Sequence, residues 1–455
     1  MNRAQRRAAA HKEGKKAKKA KTAKRHGPAP ESAAALESGA LVRLSYDPAQ
    51  TPDRIARAHR DWAARHAAPL YPSVANHGND PAPERRLRVG YVSADLRRHP
   101  VAFFVEPILR SHDRAAIEPV CYDVSAQDDD MKQHLRHLVP AWRSVAGLSD
   151  GALADAIRAD GIDILVDLSG HTPGNRLLTF ARKPAPVQVT AIGYVATTGL
   201  ATMDYRLTDP WCDPAERDDA HYSEALWRLP FGFNCYTAPQ GLPEPGPAPL
   251  ATRGFVTFGS FNNLDKISAE VLDVWGEVLR QVDGSRLLLK TKTLSQGAVR
   301  RQILERLAGH GIAPERVDLV EWSPTLRSHF EAYRGMDIAL DPFPYNGTTT
   351  TCEALMMGIP VIALSGDRHA ARVSASILAR LDLAALTASD KADYVARAAT
   401  LAARPETIAS LRASLRARLI RSPLADAAGY TRGLEAAYRE MWRRWCATQR
   451  RDDVA

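Results

Sequence analysis

The segment Asp337-Ile-Ala-Leu-Asp-Pro-Phe-Pro-Tyr-Asn-Gly-Thr-Thr-Thr-Thr-Cys-Glu-Ala-Leu-Met-Met-Gly-Ile-Pro-Val-Ile-Ala-Leu-Ser-Gly366 decides the fold class of this chain. Its apolar runs 338–340 and 361–364 are predicted strands, and between them a polar loop leads into a helix. Two strands joined through a helix form a βαβ unit, in which the strands lie parallel in one sheet. The polar loop then lies at the carboxyl end of a parallel strand, where open α/β sheets bind their ligands.

The loop in this segment predicts an anion site. Thr348, Thr349 and Thr350 stand at the start of the helix, where free backbone N–H groups and the helix dipole favour an anion. Glu353 lies one turn further along, within reach of a ribose diol. The alternative is that Thr349 only caps the helix. Because four consecutive threonines exceed what capping needs, we favour a site for a nucleotide diphosphate.

Two series of alternating strands and helices extend outward from this segment, and both predict a doubly wound parallel sheet. The series that contains the segment has predicted strands at 255–261, 286–290, 317–320, 338–340 and 360–364, with helices at 268–282, 294–309, 326–334 and 373–381. The earlier series has predicted strands at 87–92, 119–124, 162–168, 187–194 and 205–208, with helices at 101–111, 129–138 and 149–160.

The remaining segments complete the expected organisation. Residues 41–68 have the spacing of one or two helices, and a final helix at 429–448 carries a stripe of large apolar side chains that predicts a buried face. The expected segments are a disordered basic tail (1–40), a short helical segment and linker (41–85), a first Rossmann-like domain (86–237), a Pro/Gly linker (238–250), a second Rossmann-like domain (251–425) and a C-terminal helix packing across the domains (426–455).

Composition excludes several classes of protein. The 455 residues suffice for two or three domains with proper cores. No apolar run reaches the roughly 18 residues of a membrane-spanning helix, so we expect no membrane insertion. The five cysteines include no C-x-x-C pair, which argues against a disulfide framework or a zinc site and fits a reducing cytoplasm.

The net charge of +9 comes from one end of the chain. Residues 1–26 contain eleven Lys or Arg and one Glu, so they carry +10 and leave −1 for the remainder. With no large apolar residue, this tail is expected to be disordered. It would contact anionic lipid or nucleic acid weakly, or act as a solubilising tail without a fixed partner.

Motifs in both series resemble the catalytic region of the O-GlcNAc transferases, glycosyltransferase family 41. The resemblance runs from about residue 41 to about residue 445 and follows the order of the family's motifs. The motifs are Gly90-Tyr-Val-Ser-Ala-Asp-Leu-Arg-Arg-His-Pro100, Asp167-Leu-Ser-Gly-His-Thr172, Gly259-Ser-Phe-Asn-Asn-Leu-Asp-Lys-Ile267, Trp322-Ser-Pro324, the Asn-Gly-Thr-Thr-Thr-Thr loop and Gly366-Asp-Arg-His-Ala-Ala-Arg-Val373.

The resemblance implies a GT-B fold, in which two Rossmann-like domains face a cleft, and an inverting, metal-independent transferase. The implied reaction moves N-acetylglucosamine from UDP-GlcNAc, a donor substrate rather than a cofactor, to Ser or Thr hydroxyls of a protein acceptor. Many members carry tetratricopeptide repeats before this region. We find no 34-residue helical repeat here and expect a bacterial type in which that array is missing or reduced to a short helical remnant.

The resemblance also assigns roles on the nucleotide side of the site. It places Lys266 and Asn263 on the diphosphate, His329 on the base and ribose, and Glu353 where the animal enzyme has an aspartate. The alternative for Lys266 is a solvated surface lysine. The acidic run Asp128-Asp-Asp130 directly precedes a helix, and we interpret it as helix capping rather than as a metal site.

Three further residues complete the expected site. The resemblance places His99 on the acceptor side as a base or positioning group, and an ordinary histidine pKa suits proton transfer at neutral pH. The alternative for His99 is a helix-start residue bonded to the backbone. We expect His171, at the carboxyl end of a strand, to contact the acceptor or the sugar. Arg372 and His369, in the last loop, are candidates for nucleotide contact.

Departures from the animal enzyme leave other functions open. Leu326, Ala332 and Thr348 stand where that enzyme has a lysine, an arginine and a histidine, so the base of the donor is not decided. A plant branch of the family transfers fucose from GDP, and a GDP-sugar donor or a glycan acceptor is therefore an alternative. Two further alternatives are a nucleotide-sugar epimerase of GT-B shape and a non-enzymatic binding module recruited by the basic tail.

Overall fold

The computed structural model describes residues 33–74, 77–215 and 217–452. Its first sheet has the order β3-β2-β1-β4-β5-β6-β7, and every neighbouring pair of strands is parallel. The elements up to this sheet's last strand are α1 (Ala33–Leu44), α2 (Pro52–His66), β1 (Leu87–Ser93), α3 (Ala102–Ser111), β2 (Ile117–Asp123), α4 (Asp130–His137), β3 (Ala141–Ser144), α5 (Asp150–Ala159), β4 (Ile164–Asp167), α6 (Leu177–Ala181), β5 (Val187–Thr190), β6 (Tyr205–Thr208) and β7 (Ala225–Arg228).

The second sheet has the order β10-β9-β8-β11-β12-β13 and is also parallel throughout. The predicted pair of doubly wound α/β domains is therefore confirmed. The elements of this half are α7 (Leu250–Arg253), β8 (Thr257–Ser260), α8 (Ala269–Gln281), β9 (Arg286–Lys290), α9 (Gly297–Ala308), β10 (Val317–Val320), α10 (Leu326–Ala332), β11 (Ile338–Leu340), α11 (Thr349–Met356), β12 (Val361–Leu364), α12 (Val373–Ala379), β13 (Thr387–Ala388), α13 (Lys391–Ala402), α14 (Pro405–Arg421) and α15 (Ala427–Asp452).

Each sheet has a point at which the strand order reverses. β1 lies between β2 and β4, and β8 lies between β9 and β11, so the connections leave in opposite directions on either side. A crevice opens outside the carboxyl ends of the strands at such a switch point, and ligands bind there. His99 follows β1, Lys266 follows β8, and the threonine loop follows β11.

Short strands at the sheet edges escaped prediction. β3 and β7 belong to the first sheet, and β13 contributes only two residues to the second. β3 and β7 contain no fully buried residue. An edge strand that is covered by little protein needs no apolar run, so its sequence carries a weak signal.

Helix α1 corrects the expected boundary of the basic tail. Residues 33–40, which we assigned to the tail, are helical, because Ala34 and Leu41 are buried against α2. The indole Nε1 of Trp62 donates to the Ala34 carbonyl at 3.0 Å. The rest of the predicted tail, up to residue 32, lies outside the described residues.

The N-terminal helices contact both domains. Trp62 is buried in a cluster with Leu165 and Phe180 of the first domain. The ring of Tyr46, just after α1, lies with its centroid 4.7 Å from that of Tyr345 in the second domain. The segment from α1 to α2 therefore bridges the two domains beside the threonine loop.

The C-terminal helix α15 returns to the first domain after the second is complete. Leu434, Tyr438 and Met441 are buried against a core that includes Leu87 and Val89 of β1. The buried face that the apolar stripe predicts is therefore confirmed. Trp442 on the same face donates from its indole nitrogen to the Ala82 carbonyl at 3.1 Å.

Candidate active site

The threonine loop, residues 345–350, has a shape set by buried hydrogen bonds. The Asp341 carboxylate accepts from the Gly347 N–H at 2.7 Å, and the Ser374 hydroxyl donates to the Gly347 carbonyl at 3.0 Å. Buried Asn346 donates from its side chain to the Pro342 carbonyl at 3.0 Å. A Cβ on Gly347 would lie 2.5 Å from the Thr350 hydroxyl and 2.8 Å from the Asp341 carboxylate. Only glycine fits this turn.

The helix that follows begins without a side-chain cap. Thr348 is the N-cap residue of α11, and its side chain makes no capping hydrogen bond. Thr349 is already the first helical residue, so the alternative in which Thr349 caps the helix is wrong. The Thr350 hydroxyl donates to the Asn262 side chain at 2.9 Å. The first N–H groups of α11 therefore depend on another acceptor.

Lys266 joins this helix start from the neighbouring strand. Its Nζ donates to the Asn346 carbonyl at 2.8 Å and lies 4.4 Å from the centre of the Tyr345 ring. Burial lowers the Lys266 pKa to about 8, while the charge of Asp341 acts in the opposite direction. The alternative of a solvated surface lysine is therefore wrong.

Asp341 is the acidic partner beneath the loop. Burial raises the pKa of its carboxyl group to about 7. The Ser374 hydroxyl, the Gly347 N–H and the charge of Lys266 act to lower it. Its Oδ2 is buried without a hydrogen-bond partner among the described residues. The charges of Asp341 and Lys266 thus act on each other beside the turn.

A chain of hydrogen bonds connects three further elements beside the loop. Lys290, the last residue of β9, lies with its Nζ 2.7 Å from Nδ1 of His329 on α10. The His329 Nε2 lies 3.0 Å from Oε2 of Glu353 on α11, and the Tyr333 hydroxyl donates to the same oxygen at 2.9 Å. An ammonium can only donate, so Nδ1 accepts from Lys290 and Nε2 donates to Glu353.

His99 lies in the loop between β1 and α3, at the switch point of the first sheet. Its Nδ1 is 3.6 Å from the Asp95 carboxylate and 3.4 Å from the Val101 backbone N–H. Burial lowers the His99 pKa below its ordinary value, and Asp95 opposes that shift. The ring is about one-third exposed, at 35% of its side-chain surface. The Val101 N–H donates to Nδ1, as the alternative for His99 expects, so the role of His99 as a base stays a prediction.

Comparison with known proteins assigns the family. The profile of Glycosyl transferase family 41 matches residues 52–237 and 251–434. The chain belongs to this family. It is 44% identical over 413 residues to the probable UDP-N-acetylglucosamine–peptide N-acetylglucosaminyltransferase SPINDLY of Solanum lycopersicum, with 89% of this chain and 44% of the relative covered. The chain thus spans less than half the length of the curated relatives it matches.

Solved structures support the same assignment. A mutant of the Thermobaculum terrenum O-GlcNAc transferase superposes with a TM-score of 0.87 at 40% identity, covering 92% of this chain and 79% of that one. Sucrose-phosphate synthase from Thermosynechococcus elongatus superposes with a TM-score of 0.54 at 14% identity, covering 78% of this chain and 99% of that one, and shows the fold alone. The family 41 chain therefore has the GT-B fold.

His171 does not join the family 41 site as we expected. It is fully buried, with Nδ1 2.9 Å from the Ser38 hydroxyl and Nε2 2.9 Å from the Thr198 carbonyl. Burial holds its pKa well below the ordinary value. The ring packs edge-on against Trp62, at 4.6 Å between centroids. Helices α1 and α2 cover this strand end, so we correct the predicted acceptor contact to a structural role.

Arg372 is also placed away from the nucleotide side. Its guanidinium is buried, donates to the Cys212 carbonyl at 2.8 Å and pairs with Asp218 of the first domain. Neighbouring His369 pairs with Asp213 at 2.7 Å, again across the domains. The last loop of the second domain therefore joins the domains, and we correct the expected nucleotide contact of Arg372 accordingly.

Two other expectations concern polar side chains near the strand ends. Asn263 is exposed and donates to the Asp265 carboxylate at 3.1 Å, so its contact with the diphosphate stays a prediction. Asp129 caps α4 by accepting from the Lys132 N–H at 2.9 Å, which confirms the capping interpretation of this residue. Within the described ranges, no three His, Cys, Asp or Glu side chains are arranged to hold a metal ion.

Lys290, Tyr333 and Asp341 are site neighbours that we did not predict. Lys290 and Asp341 stand at or just after the carboxyl ends of β9 and β11, so their position in the strand pattern was the available signal. Tyr333 had no such signal, since its place depends on how α10 packs.

Among the described helices, none is long and apolar enough to cross a membrane.

Proposed function

We propose that this chain is an inverting, metal-independent glycosyltransferase that moves N-acetylglucosamine from UDP-GlcNAc to Ser or Thr hydroxyls of a protein. One observation carries the proposal. The largely desolvated Lys266 ammonium and the uncapped N-terminus of α11 converge on the single turn at Asn346 and Gly347. Two independent anion-favouring features at one switch point suit a diphosphate.

The leaving group is stabilised by this turn. As the bond from the sugar to the diphosphate breaks, negative charge grows on the diphosphate oxygens. Lys266 and the N–H groups at Thr349 and Thr350 lie ready to receive that charge without rearrangement of solvent. In this proposal the charge of Lys266 performs the task for which other transferases use a metal ion.

The nucleoside lies against the neighbouring hydrogen-bond chain. Glu353 is held through Oε2 by His329 and Tyr333, so its carboxylate is oriented before the donor arrives. An oriented carboxylate accepts from both hydroxyls of a ribose diol. We assign the base to the face beside His329.

The acceptor hydroxyl approaches from the first domain. His99 belongs to that domain, while Lys266 belongs to the second, so the two groups come from opposite sides of the cleft. The lowered pKa keeps the imidazole neutral at neutral pH, ready to accept the proton of the attacking hydroxyl. In-line attack then inverts the anomeric centre.

The names of relatives support the donor and acceptor classes. The tomato relative is described as a UDP-N-acetylglucosamine–peptide N-acetylglucosaminyltransferase, and the Thermobaculum terrenum structure is that of an O-GlcNAc transferase. The curated relatives are more than twice as long as the matched part of this chain, so recognition of the acceptor is part of the proposal. Contacts of the basic tail, which lies outside the described residues, remain a prediction.

A panel of UDP- and GDP-sugars tests the proposal. We expect UDP-GlcNAc to transfer sugar to a Ser/Thr-rich peptide or protein, in the presence of EDTA, with the opposite anomeric configuration. Lys266→Ala should remove several kcal/mol of transition-state stabilisation and so lower turnover roughly 10²–10³-fold. Transfer from a GDP-sugar but not from UDP-GlcNAc would contradict the proposed donor. Release of an epimerised nucleotide sugar would contradict the proposed reaction. A strict need for Mg²⁺ or Mn²⁺ would contradict the metal-free mechanism.

A further inference from the structure

Lys290 is a buried cation that no carboxylate of the described residues pairs with directly. The residue is 2% exposed, and its ammonium makes one hydrogen bond there, to His329. The Nζ atom lies 5.0 Å from the centre of the Phe261 ring and 5.7 Å from that of Trp322. An ammonium has three donors, so two point into this aromatic environment without an oxygen acceptor. A ligand oxygen would satisfy them.

Trp322 is a large aromatic side chain left in solvent beside that cation. It follows β10 and is 55% exposed, compared with 37% for Trp211. Its ring centroid lies 5.9 Å from that of His329 and 34° from parallel with it. An exposed aromatic face beside an imidazole suits a flat ligand that stacks on it.

We propose that Trp322 and Lys290 form a base-reading subsite for nucleotides whose base carries a keto oxygen at C4 of a pyrimidine or C6 of a purine, as uracil and guanine do. The base stacks on Trp322, and the Lys290 ammonium donates to the keto oxygen. Cytosine and adenine carry an amino group at the equivalent position. An ammonium can only donate, so it cannot pair with an amino group, and the subsite binds these bases more weakly.

The hydrogen-bond chain fixes the orientation of this reader. His329 accepts from Lys290 through Nδ1 and donates through Nε2 to Glu353, so ribose binding and base reading share one ordered chain. Burial lowers the Lys290 pKa to about 8, with Glu353 opposing, and the ammonium is still protonated at neutral pH. The inference rests on the proposed function, because it uses the nucleotide position assigned there.

Calorimetric binding of UDP, GDP, CDP and ADP to the full chain at neutral pH tests the inference. We expect UDP or GDP to bind roughly tenfold more tightly than CDP and ADP, the effect of one hydrogen bond made or left unpaired. Lys290→Met should abolish this preference by weakening the binding of UDP and GDP while leaving that of CDP and ADP unchanged. Trp322→Ala should weaken all four by a similar factor.

Lys292→Met is the matched control. Lys292 lies over the same Trp322 ring at 4.6 Å but is exposed to solvent, and its loss should leave the base preference intact. Equal weakening of all four nucleotides by Lys290→Met would assign Lys290 to the phosphates and overturn the inference, as would a wild type without base preference. A base preference without any sugar transfer would contradict the proposed reaction but support the base-reading subsite.

Discussion

Lys266 and Asp341 are the residues whose charges depend most directly on each other in this site. The ammonium is partly desolvated beside the turn, and the carboxylate lies buried beneath it. Each charge stabilises the other, since an opposite charge nearby favours the ionised form. If the turn binds a diphosphate as we propose, the binding free energy depends on pH through both groups.

We expect UDP affinity to fall as the pH rises through about 8. The Lys266 pKa is about 8 in the free protein, and a bound diphosphate would raise it, so binding at higher pH requires uptake of a proton. The affinity for UDP is greatest below this pKa and falls by up to about tenfold for each pH unit above it. The dissociation constant of UDP, measured by calorimetry from neutral to alkaline pH, checks this.

Asp341→Asn should move that fall to lower pH. The amide keeps an acceptor for the Gly347 N–H but removes the negative charge that raises the Lys266 pKa. A pH profile of UDP binding that coincides with that of the wild type would show that the two groups act independently. Asp341→Ala, which removes the acceptor as well, should weaken binding at every pH.

His99→Ala should impair sugar transfer much more than nucleotide binding. The imidazole lies in the first domain, whereas the turn to which we assign the diphosphate lies in the second. We expect kcat to fall by about 10²-fold or more, the usual contribution of a general base, with the dissociation constant of UDP unchanged. His137→Ala, at an exposed histidine of α4, is the control. Equal loss of UDP affinity would place His99 in the nucleotide pocket.

At the scale of elements, the start of α11 determines what the site can bind. Helix α11 is only eight residues long, yet it begins at a turn that three neighbours hold: Asp341 after β11, Ser374 on α12 and Asn262 after β8. The helix N-terminus is thus fixed by the sheet and by a second helix. Its position gives the first N–H groups of α11 a constant direction.

Gly347→Ala should disrupt this element. The added methyl group would come within 2.5–2.8 Å of the Thr350 and Asp341 oxygens, so the turn must open. We expect UDP affinity to fall by more than about tenfold, because misplaced donors lose the anion. Gly297→Ala, at the first position of α9 with nothing within 4 Å of the new Cβ, should bind UDP normally. Unchanged affinity in Gly347→Ala would show that the turn does not hold the diphosphate.

At the scale of the whole molecule, two connections among the described residues bring the domains together in addition to the segment from α1 to α2. One is the set of buried polar contacts around Asp213–His369 and Asp218–Arg372. The other is α15, which leaves the second domain and packs its apolar face on the first sheet's core. Both connections hold the domain that contains His99 against the domain that contains Lys266.

Trp442→Ala should destabilise the whole chain. Its ring is fully buried between α15 and the segment before β1, with the Arg85 guanidinium 4.6 Å from the ring centre. Truncation of a buried tryptophan costs about 3–5 kcal/mol of unfolding free energy. The exposed Trp322→Ala, by contrast, should change stability by about 0.5 kcal/mol or less. Thermal and urea unfolding of both variants decide this, and equal stability would contradict the packing described for α15.

The sequence by itself determined the two parallel sheets and the position of the threonine loop. These follow from local signals: apolar runs of strand length, alternation with helices, and polar residues at the carboxyl ends of strands. Edge strands such as β3 and β7 lacked that signal because little protein covers them. The family motifs added expectations for individual side chains in both domains.

Only the tertiary structure decided the surroundings of each side chain. His171 and Arg372 have the residue types and strand-end positions of functional groups. In the structure, α1 and α2 cover His171, and Arg372 forms an ion pair with Asp218 of the first domain. Lys290 is an ordinary strand-end lysine in the sequence and a buried cation in the fold. Burial and partners come from elements distant in the chain, so no local pattern encodes them.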